Sequence, residues 1–192
     1  MCKPRVRPRL RNLLASAFGI FLVIAIMTGA TNAEEVSGAR IGRIRAALIY
    51  YLVKFVDWPS LDDANINRNL ELCLLGSDPL NHFLENTVRG KKIHNHNLVI
   101  REQREDKIAQ SCNLVFFSEE KVSLLREKQL VLGEESPLTV CAVQKPDWGY
   151  CMIQLYEKEN RIRIAIDVDL AKRANYSISS ELLEVADLKG EM

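Results

Sequence analysis

From Val36 the apolar side chains fall at Ile41, Ile44, Leu48, Tyr51, Leu52 and Phe55, a single stripe at helical period. The spacing predicts a helix over residues 37–56, ended by Pro59, which cannot supply the next backbone N–H. Residues 69–76 (NLELCLLG) form a short β run, and Gly76-Ser77-Asp78-Pro79 a turn leading into a second helix faced by Leu80, Phe83, Leu84 and Val88. A weaker strand is predicted over 97–102. The wholly apolar 113–117 (NLVFF) has the composition of a strand buried on both faces. Ser118-Glu119-Glu120 opens a third helix to about Leu130, and 137–143 reads as a fourth strand. Strand and helix alternate this far, which predicts a mostly parallel sheet with helices on both faces.

The end of the chain has a different rhythm. Two β runs, 151–156 and 161–168, are separated by Glu157-Lys158-Glu159-Asn160. In the second, Ile162, Ile164, Ile166 and Val168 alternate with Arg161, Arg163, Ala165 and Asp167, so one face is buried and the other wetter. The pair is expected to be an antiparallel hairpin at a sheet end. Residues 170–188 predict a short helix, a break at Asn175-Tyr176 and a last helix from about Ser179. The fold class is therefore α/β, a single three-layer domain whose mixed sheet finishes in a C-terminal hairpin. No repeat and no Gly-, Ser- or Pro-rich linker interrupts 36–188.

The first thirty-three residues stand apart. Lys3, Arg5, Arg7, Arg9 and Arg11 precede an uncharged run of fifteen residues, Leu13–Met27, followed by the small and polar Thr28–Ala33. Those are the three regions of a secretory signal peptide. The apolar run falls short of the about 20 residues a membrane-spanning helix needs. Residues 1–33 are expected to be cleaved after Ala33, leaving 34–192 as one exported, periplasmic domain. That segment holds 21 basic and 25 acidic residues, a net charge of −4. Nucleic-acid binding rests on neutralising phosphates, so this balance excludes nucleic acid as a partner.

Export gives the cysteines a meaning. Once Cys2 leaves with the leader, Cys73, Cys112, Cys141 and Cys151 remain, and an even count in an oxidising compartment reads as disulfides. Four cysteines allow three pairings. Cys141 and Cys151 bracket a segment containing Pro146 and Gly149 that can turn back on itself. Closing that loop would stabilise by about 3 kcal/mol in the chain-entropy model, and a Cys73–Cys112 loop by about 4.

Other chemistry is thin. His94 and His96 could share one side of an extended segment, but Lys91 and Lys92 repel a cation and no third ligand is near in sequence, so an exposed polar turn is expected and no metal. There is no nucleophile elbow, phosphate loop or dinucleotide fingerprint, so no cofactor and no enzyme is expected. What stands out is aromatic. Trp58 sits where the first helix exits, and Trp148 lies between two cysteines beside Tyr150. Trp and Tyr on loops supply large rigid contact area with one polar handle.

The same residues carry a likeness. Ala46–Pro59 (AALIYYLVKFVDWP) resembles the opening helix of the YfiR family, which reads K-A-A-F-L-Y-N-F-A-K-F-V-E-W-P. Leu72–Gly76 with Asp78-Pro79 is similar to its first strand and turn. Residues 161–166 (RIRIAI), 171–174 (AKRA) and 178–183 (ISSELL) resemble its tail motifs in the same order. Tyr51 departs from a frequent Asn, and Asp167-Val168-Asp169 from an Asn-Leu pattern. The resemblance covers nearly all of 40–188. It implies a periplasmic repressor that binds the periplasmic segment of an inner-membrane diguanylate cyclase and lowers cyclic di-GMP synthesis. An outer-membrane lipoprotein antagonist draws such a repressor away. It also implies a homodimer, responsiveness to redox state, and a Cys73–Cys112 bridge beside Cys141–Cys151. Bridging needs Cα atoms within about 7 Å, so the first pairing tests the sheet order.

The expected docking face is Trp58, Pro59 and Ser60 with Trp148 and Tyr150. On that expectation, Trp58→Ala weakens partner binding without lowering the melting temperature. The alternative function is a periplasmic receptor for a small ligand, held in a crevice at the carboxyl ends of the parallel strands.

Overall fold

The computed structural model describes residues 29–59, 69–103, 112–127 and 136–189, with side chains from Val36 onward. Helix α1 spans Gly29–Lys54. It starts eight residues before the apolar stripe would place it, because Ala30, Ala33, Glu34 and Glu35 are good helix formers. The expected leader therefore overlaps the first residues of α1 and otherwise lies outside the described residues. The chain divides after Arg40 into two units. The described part of the first unit is helix, and all that follows concerns the second. Among the described residues, no helix is long and apolar enough to cross a membrane.

The second unit alternates as the pattern predicts. After α1 come β1 (Val56–Asp57), β2 (Leu70–Leu75), α2 (Asn81–Val88), β3 (Lys92–Ile93), β4 (His96–Glu102) and β5 (Leu114–Phe117). A 3₁₀ turn at Glu119–Lys121 leads to α3 (Val122–Glu127), then β6 (Leu138–Val143), β7 (Ile153–Lys158) and β8 (Arg161–Ile166). The end is α4 (Val168–Arg173), β9 (Ser177–Ile178), α5 (Ser180–Leu183) and β10 (Asp187–Leu188). Eight strands form one sheet in the order β10-β8-β7-β6-β5-β2-β4-β3, and β1 pairs with β9 in a separate antiparallel ribbon. The pairings from β4 through β2, β5 and β6 to β7 are parallel. The chain goes from β2 outward to β4 and then crosses back to β5 on the other side of β2. The order of winding thus reverses between β2 and β5.

Period-two alternation splits the core in two. Leu70, Leu72 and Leu74 of β2 point to the face covered by α1, α2, α4 and α5, in one cluster with Phe116, Val140 and Ile166. Cys73 and Leu75 point to the other face, with Phe117, Cys141 and the α3 residues Val122 and Leu125. Helices on both faces of a mixed sheet make this the α/β domain the sequence predicts.

Four local differences have physical causes. The β7–β8 hairpin forms, turning through Glu159 and Asn160, both in the left-handed region as a twist-matched two-residue turn requires. It is not the sheet end, because β10 adds in parallel outside β8. A second hairpin, β3–β4, turns through left-handed His94 and Asn95. The histidines part there: His94 is exposed, while His96 is buried in β4, so the exposed polar turn predicted for both holds for His94 alone. The two C-terminal helices are also shorter than periodicity suggests. Each is a small capped unit, Asp167 accepting from the Leu170 N–H and Ser179 from that of Leu182.

Both expected disulfides are present, Cys73–Cys112 and Cys141–Cys151, with Cα separations of 5.8 and 6.4 Å. The ladder sets Cys73 opposite Val115. Cys112 nevertheless reaches Cys73 because it lies ahead of β5, outside the ladder, and packs on the same face of the sheet.

Tyr176 links the two ends of the domain. Its ring meets Trp58 edge-on at 5.8 Å, and its hydroxyl donates to the Ser136 carbonyl at 3.0 Å. Burial pushes its pKa up to about 12 from an ordinary 10. A phenol whose folded pKa is raised lends stability that is complete below pH ~10 and is lost as pH climbs toward 12. Two pH units correspond to about 3 kcal/mol. Tyr156, whose hydroxyl donates to Asp187, is likewise pushed up to about 12, first by burial. Denaturant unfolding should therefore show stability falling between pH 10 and 12, and falling less in Tyr176→Phe. Equal losses in the two proteins would refute the assignment.

Candidate functional site

The segment between Cys141 and Cys151 is held from every side. Its ends are joined by the disulfide. Gln154 of β7 reaches across it, its amide nitrogen donating to the Asp147 carbonyl and its amide oxygen accepting from the Asp147 N–H at 2.9 Å. The Gly149 N–H donates to Asp167 at 3.1 Å. Arg126 of α3 pairs with Asp147 and lies over the Tyr150 ring, 4.4 Å from its centroid. Trp148 and Tyr150 are half-buried, resting on the cluster around α3. The result is a stiff loop presenting two aromatic side chains whose geometry is set before any partner arrives.

Asp167 is the anchor behind the loop. It is fully buried, caps α4, receives Gly149 and pairs with Lys189 at 3.1 Å. Arg126, Gln154 and Asp167 are absent from the sequence-derived site. For Asp167 a signal existed in its departure from the family's Asn-Leu pattern. The other two act through the tertiary fold, and no local motif marks them.

The helix exit behaves otherwise. Trp58 is only 5% exposed, its indole N–H donates to the Val53 carbonyl at 2.9 Å, and its ring belongs to the core cluster with Tyr176. This indole is core, so the expectation that its removal leaves the melting temperature untouched is corrected. Pro59 is exposed beside it, and Ser60 lies outside the described residues. Nor do the two tryptophans meet. Trp58 packs in the cluster on one face of the sheet and Trp148 against the cluster on the other.

A third feature lies where β2 and β5 end. A crevice of about 440 Å³ is lined by Arg45, Ser77, Asp78, Pro79, Glu119 and Glu120. Arg45 of α1 and Asp78 form a buried ion pair at 2.6 Å, and the other Asp78 oxygen accepts from the Leu80 N–H at 2.9 Å. Two glycines make room. A Cβ on Gly42 would strike the Pro79 backbone, and Gly76, at φ +90°, lies against the Ser118 hydroxyl. A smaller depression of about 300 Å³ lies over the end of β6 and includes Glu119, Arg126 and Tyr150. Among the described residues, no group of three histidine, cysteine or carboxylate side chains could hold a metal ion.

Fold and crosslinks together define a doubly wound α/β domain stapled by two disulfides, as befits an oxidising compartment. The YfiR/HmsC-like family model matches residues 42–187, and the chain belongs to that family. Members are periplasmic regulators of diguanylate cyclases rather than enzymes. No curated protein matches the chain.

Proposed function

We propose that this protein is a periplasmic repressor that binds the periplasmic segment of a membrane-bound diguanylate cyclase and holds down cyclic di-GMP synthesis. The observation that carries the reading is family membership over 42–187, nearly the whole of the α/β unit. The two disulfides support an oxidising location. In this reading residues 1–33 are the cleaved leader, and the mature chain works as a homodimer and is drawn off by an outer-membrane lipoprotein. Repression needs no chemistry from the repressor. It adds binding free energy to one conformation of the cyclase and so shifts the population toward it.

The proposed docking face is the Trp148–Tyr150 loop, and the helix exit at Trp58 and Pro59, where Trp58 packs on the opposite face of the sheet, is left out of it. Removing the Trp148 side chain leaves the disulfide, the Gln154 clamp and the Gly149 bond intact. A central tryptophan commonly supplies about 2 kcal/mol or more of binding energy. Trp148→Ala should therefore weaken binding to the purified periplasmic segment of the cyclase more than tenfold, with a melting temperature within a few degrees of wild type. Unchanged affinity in a folded variant would move the docking face elsewhere.

A further inference from the structure

The face formed by α1, α2 and β3 carries a charge that the balance of the whole chain conceals. Residues 41–56 and 81–97 hold six Lys or Arg side chains and one acid, Glu85, whereas residues 34–192 together are net −4. Arg45 is spent on its buried ion pair with Asp78. The other five, Arg43, Lys54, Arg89, Lys91 and Lys92, are exposed. Arg89 lies 3.9 Å from Glu85 with both side chains largely in solvent, a pairing too weak to cancel the patch.

The tertiary fold sets aromatic rings among these cations. Lys91, between α2 and β3, holds its ammonium 4.0 Å from the centroid of the Tyr50 ring, and Lys54 holds its own 5.7 Å from the same ring. Arg43, two turns before Tyr50 on α1, lies over Phe83 of α2 at 5.1 Å. The Tyr51 ring lies parallel to that of Phe55 and 6.3 Å from that of Tyr50. Tyr50, Phe55 and Phe83 rest half-buried on the core, while Tyr51 is 52% exposed. A cation over a ring is fixed in position yet keeps its charge.

Geometry narrows the partner. Arg43 and Lys54 are eleven residues apart, about 16 Å along an α-helix. Cations so spread do not converge on one phosphate or carboxylate, and they suit a continuous layer of negative charge. A second copy of this chain is a poor occupant, because a two-fold contact through this face would set like charges together. Tyrosine and phenylalanine interleaved with lysine suit a bilayer surface, where the rings sit at headgroup level and the ammonium groups reach lipid phosphates.

We propose that this face rests on an anionic phospholipid bilayer, with Tyr51 entering the headgroup layer and Arg43, Lys54, Lys91 and Lys92 against lipid phosphates. The contact is peripheral, and among the described residues no helix is long and apolar enough to cross a membrane. Trp148 packs against the cluster on the opposite face of the sheet, so a protein seated this way keeps that loop clear of lipid. The inference stands on this face alone and goes beyond the repressor reading.

The test is flotation of the protein without its leader, residues 34–192, with vesicles of phosphatidylglycerol and phosphatidylcholine in equal parts and no cyclase present. Saturable binding is expected at low ionic strength, and its loss at about 1 M salt, where charges are screened within about 3 Å. Each lysine held near an anionic surface contributes about fivefold in affinity, so Lys54→Gln/Lys91→Gln should weaken binding more than tenfold. Tyr51→Ala should weaken it several-fold. These side chains are exposed, so both variants should fold, and circular dichroism checks that they do. Arg161→Gln/Arg163→Gln, on the β8 flank, should bind as wild type does. No binding, equal binding to phosphatidylcholine alone, undiminished binding in either face variant, or an equal loss in the β8 variant would each overturn the inference. Tighter binding to soluble polyglutamate than to vesicles of equal charge would overturn it too, assigning the face to an acidic protein segment.

Discussion

Replacing Trp58 by alanine is expected to lower stability by about 3–5 kcal/mol, the usual cost of emptying a large aromatic site. The ring is 5% exposed, and three losses coincide on its removal. The cavity opens in the larger core cluster, between the end of α1 and Tyr176. The Val53 carbonyl forfeits its donor. The edge-on contact with Tyr176 goes too, and such contacts add about 0.5–1.5 kcal/mol beyond area burial. Trp58→Phe keeps much of the volume without the N–H and should cost distinctly less. Chemical denaturation of the three proteins checks this ordering, and a Trp58→Ala protein as stable as wild type would show the indole to be dispensable.

The two disulfides should separate under reductant. Cys141 and Cys151 are both fully buried, while Cys112 is half-buried at the entry to β5. Exchange requires a thiolate to reach sulfur. In a titration with dithiothreitol, alkylation and mass mapping should find Cys73 and Cys112 modified well before Cys141 and Cys151. Deleting the protected bridge by Cys141→Ala with Cys151→Ala should cost about 3 kcal/mol through the unfolded chain alone. On the proposed docking face, it should also loosen the Trp148–Tyr150 loop, so that affinity for the cyclase segment falls with stability. Simultaneous reduction of both bridges would show that access does not set the order, and would remove the physical basis for one bridge acting as a redox contact.

Long apolar patterns were readable in advance, and short or tertiary features were not. The helical period of α1 is legible but its buried face is not the expected stripe, since Ala46, Ile49, Leu52 and Val53 are buried while Tyr51 is 52% exposed. The β5 run NLVFF buries side chains on both faces, and the isoleucines of β8 all lie on one. β3, β9 and β10 have two residues each, too few to show a period. They exist because a neighbouring strand offers bonds. The β7–β8 turn was visible as a polar break, yet only the backbone shows Glu159 and Asn160 bent into the left-handed region. Trp58 illustrates the site problem best. Its position after a helix suits a contact residue and a core residue equally, and the decision rests on whether the N–H finds a carbonyl indoors. Val53, five residues back, provides one. The crevice was foreseeable in kind, since winding order follows from strand order, but Arg45 and Glu119 line it from elements far apart in the chain.

The two marginal strands have a consequence for association. β3 covers only the first residues of β4, and β10 only the last of β8. Beyond those caps, the outer rims carry Arg101 and Glu102 on one flank and Arg161 and Arg163 on the other, all exposed. Charged, abbreviated rims are poor templates for another chain's backbone. Self-assembly by ribbon extension, the usual route to fibrils, is thereby discouraged. Two copies of this protein would then meet through side chains.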